Sequence, residues 1–175
     1  MGHKVHPTIF RMSVIYRSPS RWFARFGSKE YRTNIRQDAE IRKYLKSITH
    51  EAGLAKVSIE RSSQGDITLY LTLVRPGLII GRGGSGAEEL VKKIEKEVLH
   101  GANKVKINML ELKKPNLSSP VVSQAMANEI EKRMPFRRVM KQGIERMQKE
   151  GALGCRVVMG GRLNGAEIAR REVFT

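Results

Sequence analysis

Residues 81–86, Gly-Arg-Gly-Gly-Ser-Gly, place four glycines within six positions around one permanent cation, Arg82. Chain without Cβ atoms lets a ligand's backbone approach closely. When such a loop opens a helix, its unpaired N–H groups and the helix dipole favour a phosphate. Two chemistries share these letters. A Gly-x-x-G loop between two helices clamps the backbone of a single-stranded nucleic acid. Gly81, Gly83 and Gly86 also fit G-x-G-x-x-G, the dinucleotide pattern. That second reading needs glycines directly after a strand and an acid about 20 residues on. Here Gly81 lies seven positions beyond Val74, where the preceding strand ends, and Glu111 follows thirty positions later. No Gly-Lys-Ser/Thr is present, so a Walker-type loop is excluded. The nucleic-acid reading fits better.

A second constellation lies in the segment 131–141, Glu-Lys-Arg-Met-Pro-Phe-Arg-Arg-Val-Met-Lys. Arg133, Arg137 and Lys141 recur at i, i+4, i+8, with Arg138 beside them, which predicts one cationic stripe on a helix after Pro135. Phe136, Met140, Ile144 and Met147 form the opposing apolar stripe. No acid stands between Glu131 and Glu145, so the stripe lacks the mixed signs of an ordinary solvated face. Arg162 and Arg170 flank the glycine-rich turn 160–165 and are further candidates for phosphate contact. His3 and His6 have no carboxylate near them in sequence and read as RNA or protein contacts rather than metal ligands. A single cysteine, Cys155, excludes an internal disulfide and a CxxC zinc site; it is expected on a strand and buried. No Ser/His/Asp or Cys/His grouping is evident, so no catalytic residue, metal or cofactor is expected.

The elements that must position these groups follow from periodicity. A helix is predicted over 38–52, with Asp38 as N-cap and Ile41, Leu45 and Ile48 on its apolar side. Strands are predicted over 56–61 and 67–74, the second with Ile67, Leu69, Leu71 and Leu73 on one face. A one-turn helix over 77–80 leads into the glycine loop. A helix over 87–99 and a strand over 104–112 complete the unit. Beyond Lys113-Lys114-Pro115, helices are predicted over 121–133 and 136–149, then a strand over 155–159 and the start of another at the end. The expected division is a basic arm, 1–37, a first domain, 38–113, and a second small α/β domain, 114–175, that looks short of its last strands.

Charge supports that division. The formal net charge is +16. Residues 1–36 hold eight Lys/Arg against one acid (+7), residues 37–112 twelve against ten (+2), and residues 113–175 thirteen against six (+7). A nearly neutral folding unit thus has two strongly basic flanks, which points to a polyanionic partner. The arm also carries six of the ten aromatics. Its first ~20 residues are expected to become ordered against a partner, and the rest to pack on the next helix. The arm's candidate RNA contacts are Gly2, His3, Lys4, His6, Arg11, Arg17 and Arg21. No apolar run approaches the ~20 residues needed to span a bilayer, and Arg11 and Arg17 bracket the arm's only apolar run, so no signal peptide is expected.

The order helix, strand, strand, short helix, Gly81-Arg82-Gly83-Gly84, helix, strand resembles a type II KH domain. That resemblance implies an α+β fold with a three-stranded mixed sheet and helices on one face. The two central residues of such a loop, at least one of them basic, are here Arg82 and Gly83, and a single cation implies a weaker nucleic-acid contact than a two-cation version makes. Along its whole length the chain resembles the S-three family of bacterial small-subunit ribosomal proteins. The carriers are Met1-Gly-His-Lys-Val-His-Pro7, Trp22-Phe23-Ala24, Val74-Arg-Pro-Gly-Leu-Ile-Ile-Gly81, Phe136-Arg-Arg-Val-Met-Lys141 and Gly161-Arg-Leu-Asn-Gly-Ala-Glu-Ile-Ala-Arg170. The family resemblance implies a cytoplasmic, ribosome-bound, non-enzymatic protein of the subunit head. Its implied partners are small-subunit ribosomal RNA, neighbouring head proteins and messenger RNA, with no membrane and no small-molecule substrate. It further implies that Arg137, Arg138 and Lys141 line the channel through which message enters and assist its unwinding.

Overall fold

The alternation in Ile67–Leu73 builds the centre of the molecule. The computed structural model describes residues 3–101 and 103–175. In it strand β3 (Ile67–Leu73) buries Ile67, Leu69, Leu71 and Leu73 completely. It pairs antiparallel with β2 (Leu54–Arg61) and parallel with β4 (Val105–Glu111), giving the expected mixed sheet. Helix α2 (Lys29–Ile48) lays Ile41 and Leu45 on this sheet, and α4 (Ser85–Lys93), continued by a π turn over Ile94–Val98, adds Leu90, Ile94 and Val98. Between β3 and α4 stands the one-turn helix α3 (Gly77–Ile80).

Two departures from the sequence-based reading share one cause. Helix α2 begins nine residues before the expected start, capped by Ser28, whose Oγ accepts the Tyr31 N–H at 3.1 Å. Asp38 is therefore no cap: it sits mid-helix, 5% exposed. The expected boundary at 37/38 falls inside α2. The first turns of α2 are polar toward solvent, so they carry no apolar period. They are held from the arm's side, where Tyr31 meets the rings of Trp22 and Phe26 at 5.5 and 5.4 Å between centroids.

The arm is consequently two things. Residues 3–17 are exposed but for the half-buried Met12, and include a single turn, α1 (Pro7–Phe10), capped by His6 Nδ1. From Pro19 to Phe26 the chain lies on the first domain. Strand β1 (Ser20–Arg21) runs parallel to β2 and adds a fourth, short strand to the sheet, in the order β1-β2-β3-β4. Arg42 of α2 fastens it, donating to Val57 O (2.7 Å), Pro19 O (3.0 Å) and Ser20 Oγ (2.9 Å). Burial pulls the Arg42 guanidinium below its ordinary value, opposed by Asp38.

The remaining chain forms α5 (Ser119–Glu131), α6 (Phe136–Lys149) and an antiparallel hairpin of β5 (Val157–Gly161) and β6 (Arg170–Phe174). Its core is Met126 with Phe136, Val139 and Met140. Gly143 completes the buried side of α6, because a Cβ there would overlap Met126 Cε. Ile144 and Met147, expected in the same stripe, are only half-buried. Cys155 corrects another expectation: it precedes β5 rather than lying on it, and is half-buried.

Candidate nucleic-acid interface

The glycine loop is shaped by its glycines. Gly81, Gly83 and Gly84 have φ of +69°, +65° and +89°, in the left-handed region that side chains disfavour. Arg82 stands exposed at the loop tip. Helix α4 begins without a side-chain cap, and the N–H of its first residue, Ser85, donates to Arg82 O. Gly86 has a different duty. A Cβ there would run into the Ile79 carbonyl oxygen, so its absence lets α4 pack on α3 and sets the loop between them. Gly86→Ala is expected to cost roughly 2 kcal/mol through overpacking, read as a lowered urea midpoint at unchanged slope. Because α3 intervenes between β3 and the loop, the strand–glycine–helix geometry of a dinucleotide site is absent among the described residues. Beside the loop, Leu78 is 60% exposed, whereas Ile79 packs toward the core.

Helix α6 presents its cations opposite its buried stripe. Arg137, Arg138 and Lys141 are exposed, while Phe136, Val139 and Met140 face inward. Arg133 does not join them. It precedes the helix with φ +62°, in the turn where its N–H reaches Ile130 O, so the i, i+4, i+8 stripe loses its first member. Pro135 breaks the helical register that the spacing assumed. Among the described residues no carboxylate lies within ion-pair distance of Arg138 or Lys141. Arg137 is different: Glu172 of β6 reaches it at 3.4 Å. Arg170 approaches the same Glu172 oxygen at 3.7 Å. The predicted C-terminal contact Arg170 is thereby brought beside α6. Arg162 is not; its Nε holds Ala166 O at 2.9 Å within the hairpin turn.

On the arm, His3, Lys4, Arg11 and Arg17 are exposed, and Gly2 lies outside the described residues. Arg11 bonds back to Pro7 O at 3.1 Å, and Arg21 pairs with Glu60 at 2.7 Å. What places the arm was not legible in its own residues. Trp22 Nε1 donates to Asp38 Oδ2 at 2.9 Å, and Asp38 Oδ1 accepts from Arg61 Nη2 at 2.6 Å. Arg61 also donates to Gln37 Oε1 and Asn34 Oδ1, so this charged hub is satisfied on both sides. Five residues from three parts of the chain make it, Trp22, Asn34, Gln37, Asp38 and Arg61, and no local motif marks them.

Residues 40–117 match a family profile described as "KH domain", and residues 126–175 one described as "Ribosomal protein S3, C-terminal domain". The chain is 40% identical over 178 residues to the small ribosomal subunit protein uS3 of Oenococcus oeni, covering 100% of this chain and 66% of that protein. It is 42% identical to the protein of that name from Desulfatibacillum aliphaticivorans and 38% to that from Leuconostoc citreum, covering 77% and 79% of their lengths. A KH-type sheet with its glycine loop, followed by a matching C-terminal segment and similarity along the whole chain, places the protein: it belongs to the uS3 family of small ribosomal subunit proteins.

Proposed function

We propose that this protein is a structural, non-enzymatic component of the small ribosomal subunit, held in its head by ribosomal RNA and neighbouring proteins. The division of labour follows the charge map. The KH-type domain is a nearly neutral scaffold, and the arm and the C-terminal unit, +7 on each flank, do most of the gripping. His3, Lys4, His6, Arg11 and Arg17 on the exposed arm contact ribosomal RNA, with Arg162 and Arg170 at the other end. Arg82 at the exposed loop tip offers one further phosphate contact.

A finer reading assigns Arg137, Arg138 and Lys141 to single-stranded message as it enters the subunit. The observation that carries it is the exposed cationic face of α6, set opposite a packed apolar face and without carboxylates around Arg138 and Lys141 among the described residues. Guanidinium and ammonium groups there grip phosphates without reading bases. They hold strands apart once thermal opening has separated them, which assists unwinding with no nucleotide-driven step. Sedimentation of cell extract tests the coarse reading. The protein is expected to travel with small subunits at physiological salt and to be stripped at roughly tenfold higher salt, as screening of many phosphate contacts requires. Recovery at the top of the gradient at physiological salt would overturn it.

A further inference from the structure

Two guanidinium groups from different elements converge beside α6. Arg137 belongs to the helix and Arg170 to β6, 33 positions later in the chain. Both approach one oxygen, Glu172 Oε1, at 3.4 and 3.7 Å. Both also lie over one ring: their Cζ atoms are 5.7 and 6.0 Å from the Phe136 centroid. Phe136 is 5% exposed, so this floor is fixed in the core. The side chains of Arg137 and Arg170 remain 64% and 49% exposed, whereas Glu172 is 24% exposed.

We propose that Arg137 and Arg170 form a two-guanidinium seat for one RNA phosphodiester, and that Glu172 is its resident anion, displaced when the phosphate arrives. This rests on the reading of α6 as an RNA-facing surface and adds a site to it. The chemistry is anion exchange. Each guanidinium has five donors in a planar fork suited to two oxygens of an anion. At 3.4 and 3.7 Å the carboxylate engages each of them weakly. A phosphodiester offers two non-bridging oxygens and can satisfy both forks at once. Cation–π attraction to the Phe136 ring keeps both guanidinium groups beside it while the anion changes. Two like charges this close would repel in an empty seat, and Glu172 relieves that repulsion. It also makes the seat selective, because a ligand must outcompete an internal carboxylate. Single, weakly held anions are thereby rejected in favour of a polyanion anchored by neighbouring contacts at Arg138 and Lys141.

The test is titration of the full chain with a fluorescent single-stranded oligouridylate, followed by anisotropy across a potassium chloride series. Glu172→Gln keeps the shape and removes the resident charge. It is expected to tighten binding roughly three- to tenfold, because the phosphate no longer has an internal anion to displace, and to steepen the salt slope by at most about 0.7, since the seat then meets the RNA with one more net positive charge. Glu40→Gln, the same charge change on α2, controls for net charge and is expected to give less than half that gain. Arg170→Ala is expected to weaken binding as much as Arg137→Ala and to abolish most of the gain from Glu172→Gln in the double variant. Weaker binding by Glu172→Gln would mean that the carboxylate only orders the arginines, and would overturn the proposal. So would a gain equal to that of Glu40→Gln, or an undiminished gain in the Arg170→Ala background. Should Arg137→Ala with Arg138→Ala leave RNA affinity unchanged, the reading of α6 itself fails, an outcome distinct from failure of the exchange.

Discussion

Asp38→Ala is expected to destabilise the protein by about 3 kcal/mol or more, because breaking a buried ion pair leaves an uncompensated charge behind. The Asp38 and Arg61 side chains are 7% and 5% exposed and 2.6 Å apart. Removing the carboxylate strands the Arg61 guanidinium, which keeps only the neutral acceptors Asn34 and Gln37. It also takes away the acceptor of Trp22 Nε1. Urea unfolding should therefore show a large fall in midpoint with little change in slope. Trp22 is the only tryptophan, so its emission reports the arm's root separately. A red shift at urea concentrations below the main transition is expected, as the root detaches first. Replacing the pair together, Asp38→Leu with Arg61→Met, should recover most of the global stability, since two apolar side chains carry no desolvation debt. It should not restore the Trp22 bond. An Asp38→Ala variant within 1 kcal/mol of the parent would show that the hub contributes little.

Arg137→Ala combined with Arg138→Ala is expected to weaken single-stranded RNA binding by roughly ten- to thirtyfold at low salt, taking two exposed charge contacts at up to ~1 kcal/mol each. The salt slope should fall by at most about 1.4, the limit of 0.7 for each lost phosphate contact. Stability should be nearly unchanged, because both side chains are exposed and the buried side of α6 is untouched. Ribosomes carrying the double variant should assemble and sediment normally, yet translate through a stable message hairpin more slowly than through an unstructured message of equal length. Equal rates on the two messages would argue against any role of α6 in unwinding. The two substitutions should also differ from each other. Arg138 has no carboxylate partner among the described residues, whereas Arg137 shares Glu172 with Arg170. Arg138→Ala alone should therefore show the larger loss in salt slope.

Much of the fold was legible in the chain because short-range patterns encode it. Alternation over Ile67–Leu73 named every buried residue of β3. The bounds 136–149 for α6 follow from Pro135 before it and Gly151 after it. The glycine loop stood out because its conformation admits few other residues. The errors fall where stability comes from afar. The start of α2 was missed because its first turns face solvent on one side and the arm's aromatic rings on the other. Arg133 was counted into a helical stripe that the Pro135 turn interrupts.

By itself, then, the sequence determined the element order, the nearly neutral domain between two basic flanks and the family to which the chain belongs. These depend on residue type, spacing and total charge, which act locally or sum without regard to shape. Only the tertiary structure decided that Arg42 and the Asp38–Arg61–Trp22 hub root the arm on the sheet, and that Glu172 brings Arg137 and Arg170 together over Phe136. The contacts among them that bridge separate elements join residues 16 to 35 positions apart. Their energy comes from burial and from charge met at short range, and neither exists until the chain has folded.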